Sequence, residues 1–220
     1  EEHLDGCSRE TVRACFDRLL PHYASELDLP GNARLRQQVE TEAVDNITEL
    51  FGTLCRGGMT VTAAEAPIER ALTLNLRDPD QPGESGTAHA HEVTMGGFRD
   101  LDASTSDGRT VVIDMKYSVS RTKYRDLIND GRSLQLATYA WSVADELPLD
   151  GIVTAYFELK YGRFDSTSPE LGDGTEGRSA LSPAVLWQRA VASVEKALSE
   201  IMFTGVVRDE GNALINAAEG

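Results

Sequence analysis

The chain has 220 residues and a formal net charge of −15, with 40% hydrophobic and 26% charged residues. This length suits one domain with a full hydrophobic core, and the composition is that of an ordinary globular protein. The negative charge argues against sequence-independent nucleic-acid binding over the whole surface, because such binding depends on lysine and arginine side chains that displace counterions.

The sequence shows neither a membrane span nor a secretory signal. No apolar run reaches the roughly 18 to 20 residues that cross a bilayer, and the opening EEHLDGCSRE lacks a basic segment followed by an apolar one. The missing initiator methionine suggests a fragment of a longer protein. The spacing of Cys7, Cys15 and Cys55 fits neither a disulfide framework nor a CxxC metal site, so we expect a reducing, cytoplasmic location.

Two amphipathic helices are predicted in an N-terminal layer over residues 1–55. The first covers residues 8–27, with Ser8 as its cap, and the second begins after Asn32 and ends near the CRGG stretch. Residues 59–76 then change to a strand-like pattern rich in Thr, Val, Ile and Leu.

The middle of the chain is predicted to form antiparallel strands. A polar, Pro/Gly-rich hairpin loop at residues 77–88 leads to a strand at 91–104. An Asp-Gly turn then leads to the strand TVVIDMKYS at 110–118.

The second half alternates helix and strand. We predict a helix at residues 134–147, a strand at 151–161, an exposed loop at 162–179, and a final helix capped by Ser182 with Pro183 at its first position. The whole chain is therefore predicted to be a single α/β domain with a mixed sheet, with a catalytic core at 59–160 and a C-terminal helix at 181–203.

The aliphatic strand VVIDMKYS carries two charged residues, Asp114 and Lys116, near its end. Residues two apart share one face of a strand, so Val112, Asp114 and Lys116 project together. Lys116 is one of only four lysines in the chain. Because a charged group at the end of a core strand is costly unless it is paired, these side chains need a partner or a function.

Asp100 is the expected partner, because pairing across the Asp-Gly turn brings it opposite Asp114. Two neighbouring carboxylates repel each other unless a proton or a cation lies between them, and Mg²⁺ prefers such oxygen ligands. The main-chain carbonyl of Met115 could add a ligand, and Lys116 could orient water and offset charge on a phosphate. This chemistry is that of phosphodiester hydrolysis. The alternative is a chance D-x-K tripeptide beside a charged sheet edge.

The run GFRDLDASTSDGRTVVIDMKYS, followed by LQLATYA, resembles the PD-(D/E)XK nuclease superfamily, and most closely its RecB/AddB-type branch. The resemblance implies a restriction-endonuclease-like fold with a central mixed sheet flanked by helices. It implies that Asp100 and Asp114 are metal ligands, that Lys116 is the catalytic lysine, and that Gln135 and Tyr139 belong to the helix motif beside the site. A surface glutamine and a half-buried tyrosine are the alternative for the last two.

The resemblance also implies a Mg²⁺- or Mn²⁺-dependent deoxyribonuclease, an exonuclease module of a helicase-associated repair or defence system. Glu65 would be a further acidic catalytic residue, although a solvated strand residue is an equal alternative. Members of this branch often carry a histidine ligand on an early helix. The second helix of this chain has none, and His22 on the first helix or Glu40 on the second could substitute. No cysteine follows Cys55, so no iron–sulfur cluster is expected.

Residues 115–132 carry five lysines and arginines against two aspartates, although the chain as a whole is strongly acidic. Arg121 and Lys123 are predicted to bind substrate phosphates, with Tyr117 and Tyr124 available to stack on bases. A solvated loop and helix face is the alternative.

Two other interpretations remain open. His89 and His91 are interpreted as loop or strand-edge residues, with the alternative that they border the nuclease site. A catalytically inactive nuclease-like fold could serve as a binding or scaffold module for a basic partner. An acidic DNA mimic is disfavoured, because it needs no clustered Asp-x-Lys strand.

Overall fold

The computed structural model describes residues 8–80, 88–144, 148–168, 171 and 181–205. Its helices are α1 (Arg9–Tyr23), α2 (Ala33–Arg56), α3 (Lys123–Asn129), α4 (Leu134–Val143) and α5 (Pro183–Thr204), with short 3₁₀ turns at Ser25–Asp28 and Leu149–Gly151. Its strands are β1 (Thr60–Leu76), β2 (His89–Ser104), β3 (Thr110–Lys116), β4 (Val153–Glu158) and β5 (Arg163–Ser166).

The strands form one mixed sheet in the order β1-β2-β3-β4-β5. Neighbouring strands are antiparallel except β3 and β4, which are parallel and joined through α3 and α4. The chain is therefore an α/β fold with helices against its sheet, as the alternation of patterns predicts.

Each face of the sheet is covered by helix, which explains why β3 is almost continuously aliphatic. On one face, Leu50 and Leu54 of α2 pack in a core cluster with Val111, Ile113 and Phe157. The opposite face is covered by α4, and α5 packs outside α4. Tyr139 and Ala140 of α4 pack against Val112 of the sheet. Ala137 of α4 packs against Leu186 and Ala190 of α5. The charged side chains of β3 lie on this second face.

The β1–β2 hairpin is much longer than the rest of the sheet. β3 pairs only with residues 101–104 of β2, whereas the β1–β2 ladder continues to Leu76 and His89. The end of β1 is held by α5, where the Glu195 carboxylate accepts from the Asn75 N–H at 2.6 Å and Ser199 Oγ accepts from the Arg77 N–H at 3.0 Å.

Helices α1 and α5 begin where the sequence predicts, whereas α1 ends at Tyr23 and the rest of its predicted span forms the 3₁₀ turn Ser25–Asp28. The hydroxyl of Ser8 accepts from the Thr11 N–H at the start of α1, and Ser182 accepts from Val185 N–H at the start of α5. Asn32 lies at the predicted cap of α2, but its amide donates to the Glu26 carbonyl at 2.7 Å instead of capping the helix.

Two elements differ from the sequence predictions. Residues 163–166, predicted as exposed loop, form β5 and pair with β4. The polar stretch after β3 contains α3, a helix too short for periodicity to identify. Parts of the predicted loops at 77–88 and 162–179, and residues 145–147 of the helix predicted at 134–147, lie outside the described residues.

Within the described ranges, no helix combines the length and apolar character needed to cross a bilayer. Cys15 and Cys55 are free thiols exposed at the surface, and Cys7 lies outside the described residues.

Candidate active site

The β2–β3 register places Asp100 beside Asp114. Leu101 pairs with Ile113 and Asp102 with Val112, so the next residues along the two strands are these two aspartates. One oxygen of Asp100 accepts from the Met115 N–H at 2.7 Å. The sequence prediction that these two carboxylates meet therefore agrees with the geometry.

Asp114 is fully buried, and one of its two carboxylate oxygens accepts a hydrogen bond. Its Oδ1 accepts from Gln135 Nε2 at 2.8 Å, and Gln135 also donates to the Tyr139 hydroxyl at 3.0 Å. Lys116 Nζ lies 3.0 Å from Asp114 Oδ2. The two groups form an ion pair whose angles are poor for a hydrogen bond. Five predicted residues thus come together at the end of β3.

The environment disfavours a charged Asp114. Burial, opposed by the charge of Lys116 and reinforced by Asp100, raises the pKa of Asp114 to about 7. Burial also raises the pKa of Tyr139, which remains a neutral hydroxyl. A cation bound between the two carboxylates would offset the free-energy cost of keeping Asp114 charged while it is buried.

The donor set fits a hard cation with several open positions. Two neighbouring carboxylates, one of them fully buried, suit Mg²⁺, which commonly keeps waters and substrate oxygens in its remaining positions. The described residues contain no group of three or more His, Cys, Asp or Glu side chains that could hold a metal by themselves. The Met115 N–H donates to Asp100. That the Met115 carbonyl binds the metal stays a prediction.

Glu65 lies near Asp100 along the ladder but does not join the cluster. Ala64 pairs with Leu101 and Ala66 with Arg99, so Glu65 falls across from Asp100. Its side chain is exposed, and its backbone has φ 49°, which is unusual for a non-glycine residue. Such backbone strain is often found at functional sites.

Other candidate ligands lie elsewhere. Glu40 forms an ion pair with Arg13 at 3.2 Å, and His22 is exposed in the last turn of α1. His89 and His91 pair with Leu76 and Leu74 at the far end of the hairpin. These histidines are nine or more residues from Asp100, roughly 30 Å along an extended strand, so they do not border the carboxylates.

The basic segment only partly matches its prediction. Arg121 is exposed, with its guanidinium 4.9 Å from the centre of the Tyr161 ring. Lys123 lies over Tyr124 at 5.5 Å. The prediction that Tyr124 stacks on bases is wrong, because its ring is 5% exposed and packs against Tyr156. Tyr117 is exposed and remains available.

A second charged cluster, which the sequence did not predict, consists of Glu158, Arg163 and Asp165. Glu158 pairs with Lys116 across β3–β4 and with Arg163 across β4–β5, so the cluster adjoins the first on the same face. Arg163 Nε donates to the buried Glu158 carboxylate at 3.0 Å, and its Nη2 lies 3.7 Å from Asp165. Glu158 ends an aliphatic strand just as Asp114 does, and this was the available signal.

The Glu158–Asp165 pair predicts pH-dependent stability. Burial, followed by the hydrogen bond with Glu158, raises the pKa of Asp165 to about 7. A raised folded-state pKa gives stability that is fully present below the ordinary aspartate pKa and is lost as pH rises through about 7. We expect the wild-type free energy of unfolding to fall between pH 5 and pH 8 by on the order of 1 kcal/mol more than that of Asp165→Asn.

Urea midpoints of both proteins at several pH values measure this difference. Asp107→Asn, at an exposed turn residue, serves as the control for removal of an aspartate. Parallel pH profiles for wild type and Asp165→Asn would show that Asp165 does not hold the proton.

No family model matches the chain, and no curated protein matches it. Among solved structures, it is similar to one described as the crystal structure of SSO0001, with a TM-score of 0.35 and 15% identity over 86% of this chain and 70% of that one. A likeness this distant carries no argument, so the function has to be inferred from the site itself.

Proposed function

We propose that the chain is a Mg²⁺-dependent deoxyribonuclease with a restriction-endonuclease-like fold. The observation that carries the proposal is the meeting of two carboxylates at the end of β3, where Asp114 is fully buried, Asp100 lies beside it and the Lys116 ammonium is 3.0 Å from Asp114 Oδ2. Burying one carboxylate next to another costs free energy that a single ammonium offsets only in part, and a bound cation would lower this cost. The PD-(D/E)XK resemblance, with Gln135 and Tyr139 on the helix, supports the same assignment.

Each residue has a distinct part in the proposed reaction. Bound Mg²⁺ would supply Lewis-acid polarisation of the phosphate and a more acidic water. Asp100 and Asp114 hold it, and Gln135 fixes the orientation of Asp114 through its 2.8 Å hydrogen bond. The Lys116 ammonium orients the attacking water and stabilises negative charge that develops on the phosphate oxygens.

Substrate binding is proposed to use local charge rather than net charge. Arg121 is exposed beside the site, and Lys123 is partly exposed at the start of α3. Their contacts with phosphates would position a DNA strand without reading its sequence. By resemblance, the reaction is exonucleolytic, and the chain acts in the cytoplasm within a helicase-associated repair or defence assembly.

Labelled linear and circular DNA test the proposal. We expect the protein to degrade linear DNA in Mg²⁺ or Mn²⁺, to spare circular DNA of the same strandedness, and to stop on addition of EDTA. Calorimetric titration with Mg²⁺ is expected to show saturable binding that Asp100→Asn weakens and Glu40→Gln does not, because Glu40 is paired with Arg13 away from the site. Absence of both cleavage and metal binding would overturn the proposal.

A catalytically inactive binding module is the second candidate. It is favoured by the small acidic set, because Glu65 is exposed and the described residues supply no group of three metal-binding side chains. In the same assays, this alternative predicts neither metal-dependent heat nor loss of DNA.

A further inference from the structure

A cavity of about 370 Å³ adjoins the carboxylate cluster, between the β1–β2 hairpin and α4. Residues lining it include Ile68, Gly97, Phe98, Leu134, Gln135 and Tyr139. Gln135 and Tyr139 also form the hydrogen-bonded chain to Asp114. The cavity and the proposed catalytic cluster are therefore two parts of one continuous surface.

The cavity wall is mainly apolar, and on its α4 side Leu134 is 41% exposed. Phe98 is paired with Pro67 and follows Gly97 on the strand, so its side chain projects to the opposite face of the hairpin. Gly97 pairs with Ile68, which packs against Val112 and Tyr139, so position 97 faces α4. A Cβ added at Gly97 would meet no heavy atom within 4 Å.

We propose that this cavity binds one unstacked nucleobase at the end of a single DNA strand, with its phosphate at Asp100, Asp114 and Lys116. The proposal rests on the nuclease function and names its substrate class. The apolar side chains of Ile68 and Leu134 can pack against the face of any base, and the Gln135 amide and the Tyr139 hydroxyl at the cavity edge can bond the base edge. The volume lies at the small end of ligand sites, which suits one nucleoside.

A paired base cannot fill this cavity, because it would first have to leave its stack and its partner strand. The site therefore favours single-stranded or frayed ends over blunt duplex ends. It also accounts for an exonuclease, because a terminal nucleotide is the one that can turn into a side cavity at least cost.

Single-stranded oligonucleotides with 2-aminopurine at the 5′ or the 3′ terminus provide the test. Binding is measured in EDTA, where no cleavage is expected, against matched oligonucleotides with an abasic site at the same terminus. We expect the probe fluorescence to change on binding and the abasic oligonucleotide to bind at least about fivefold more weakly. Gly97→Leu and Leu134→Ala are expected to remove this preference and leave abasic binding unchanged.

Phe203→Ala is the matched control, because Phe203 is 40% exposed on α5 and lies against His89 at the far end of the hairpin. Thermal melting checks that each variant folds, and Gly97→Ala gives a graded intermediate. Equal affinity for base-bearing and abasic oligonucleotides in the wild type would overturn the proposal. Equal affinities together with DNA cleavage would overturn the base-binding cavity but not the nuclease function. Base-dependent binding without cleavage would overturn the nuclease function but not the cavity.

Discussion

We expect Asp114→Asn to lower Mg²⁺-dependent DNA cleavage by at least about a thousandfold while the protein still folds. The substitution removes the charge that would hold the cation but keeps the shape of the side chain. Its Oδ1 can still accept from Gln135. Lys116 is 26% exposed and can turn toward water, so its loss of a partner costs little. Removing a buried carboxylate is expected to leave the thermal midpoint unchanged or higher.

Initial rates of nucleotide release, together with melting curves, measure both effects. Asp17→Asn is the control, because Asp17 is an exposed partner of Arg36 on α1. Lys116→Met separates metal binding by the two aspartates from catalysis by the lysine, because this variant is expected to lose cleavage but to retain Mg²⁺ binding in calorimetry. Undiminished cleavage by Asp114→Asn would refute the assignment of the site.

Arg163→Met is expected to have the largest effect on stability, about 3 to 5 kcal/mol. Glu158 is completely buried, and Arg163 is the cation that contacts both it and Asp165. Without Arg163, the pair must bury negative charge or bind a second proton. The same substitution also removes the hydrogen bond from Arg163 to the Arg121 carbonyl, which holds the loop after β3.

Urea unfolding at pH 8 measures this loss most sharply. Arg56→Met provides the comparison, because its ion pair with Glu49 is exposed and such surface pairs contribute at most about 1 kcal/mol. Adding Glu158→Gln and Asp165→Asn to Arg163→Met should restore much of the stability. If Arg163→Met costs no more than Arg56→Met, the cluster is not an electrostatic support of the sheet.

The first carboxylate cluster could be predicted because its geometry is local. A tight turn and the two-residue strand period bring Asp100 to Asp114, and a four-residue helical step brings Gln135 to Tyr139. The second cluster also lies on a hairpin, because β4 and β5 are antiparallel and Glu158 pairs with Arg163. β5 has only four residues and is recognisable only by its pairing with β4, so the sequence did not predict that Arg163 and Asp165 meet Glu158.

Three other features also depend on tertiary context. Tyr124 lies in a short helix whose burial is set by packing on Tyr156. The positive φ of Glu65 could not be predicted from its residue type, because a glutamate side chain disfavours that conformation. The nucleobase cavity arises from the long hairpin and α4, which are separated in sequence.

The long β1–β2 hairpin leaves a strand edge unpaired, and the net negative charge of the chain affects how that edge behaves. Beyond residue 100, toward His89, β2 has no pairing partner on its outer side within the described sheet, and most of this stretch is exposed. Open strand edges invite self-association. A net charge of −15 makes copies of the chain repel one another before such edges can meet, so the acidity that weakens general attraction to DNA also protects the protein from aggregation.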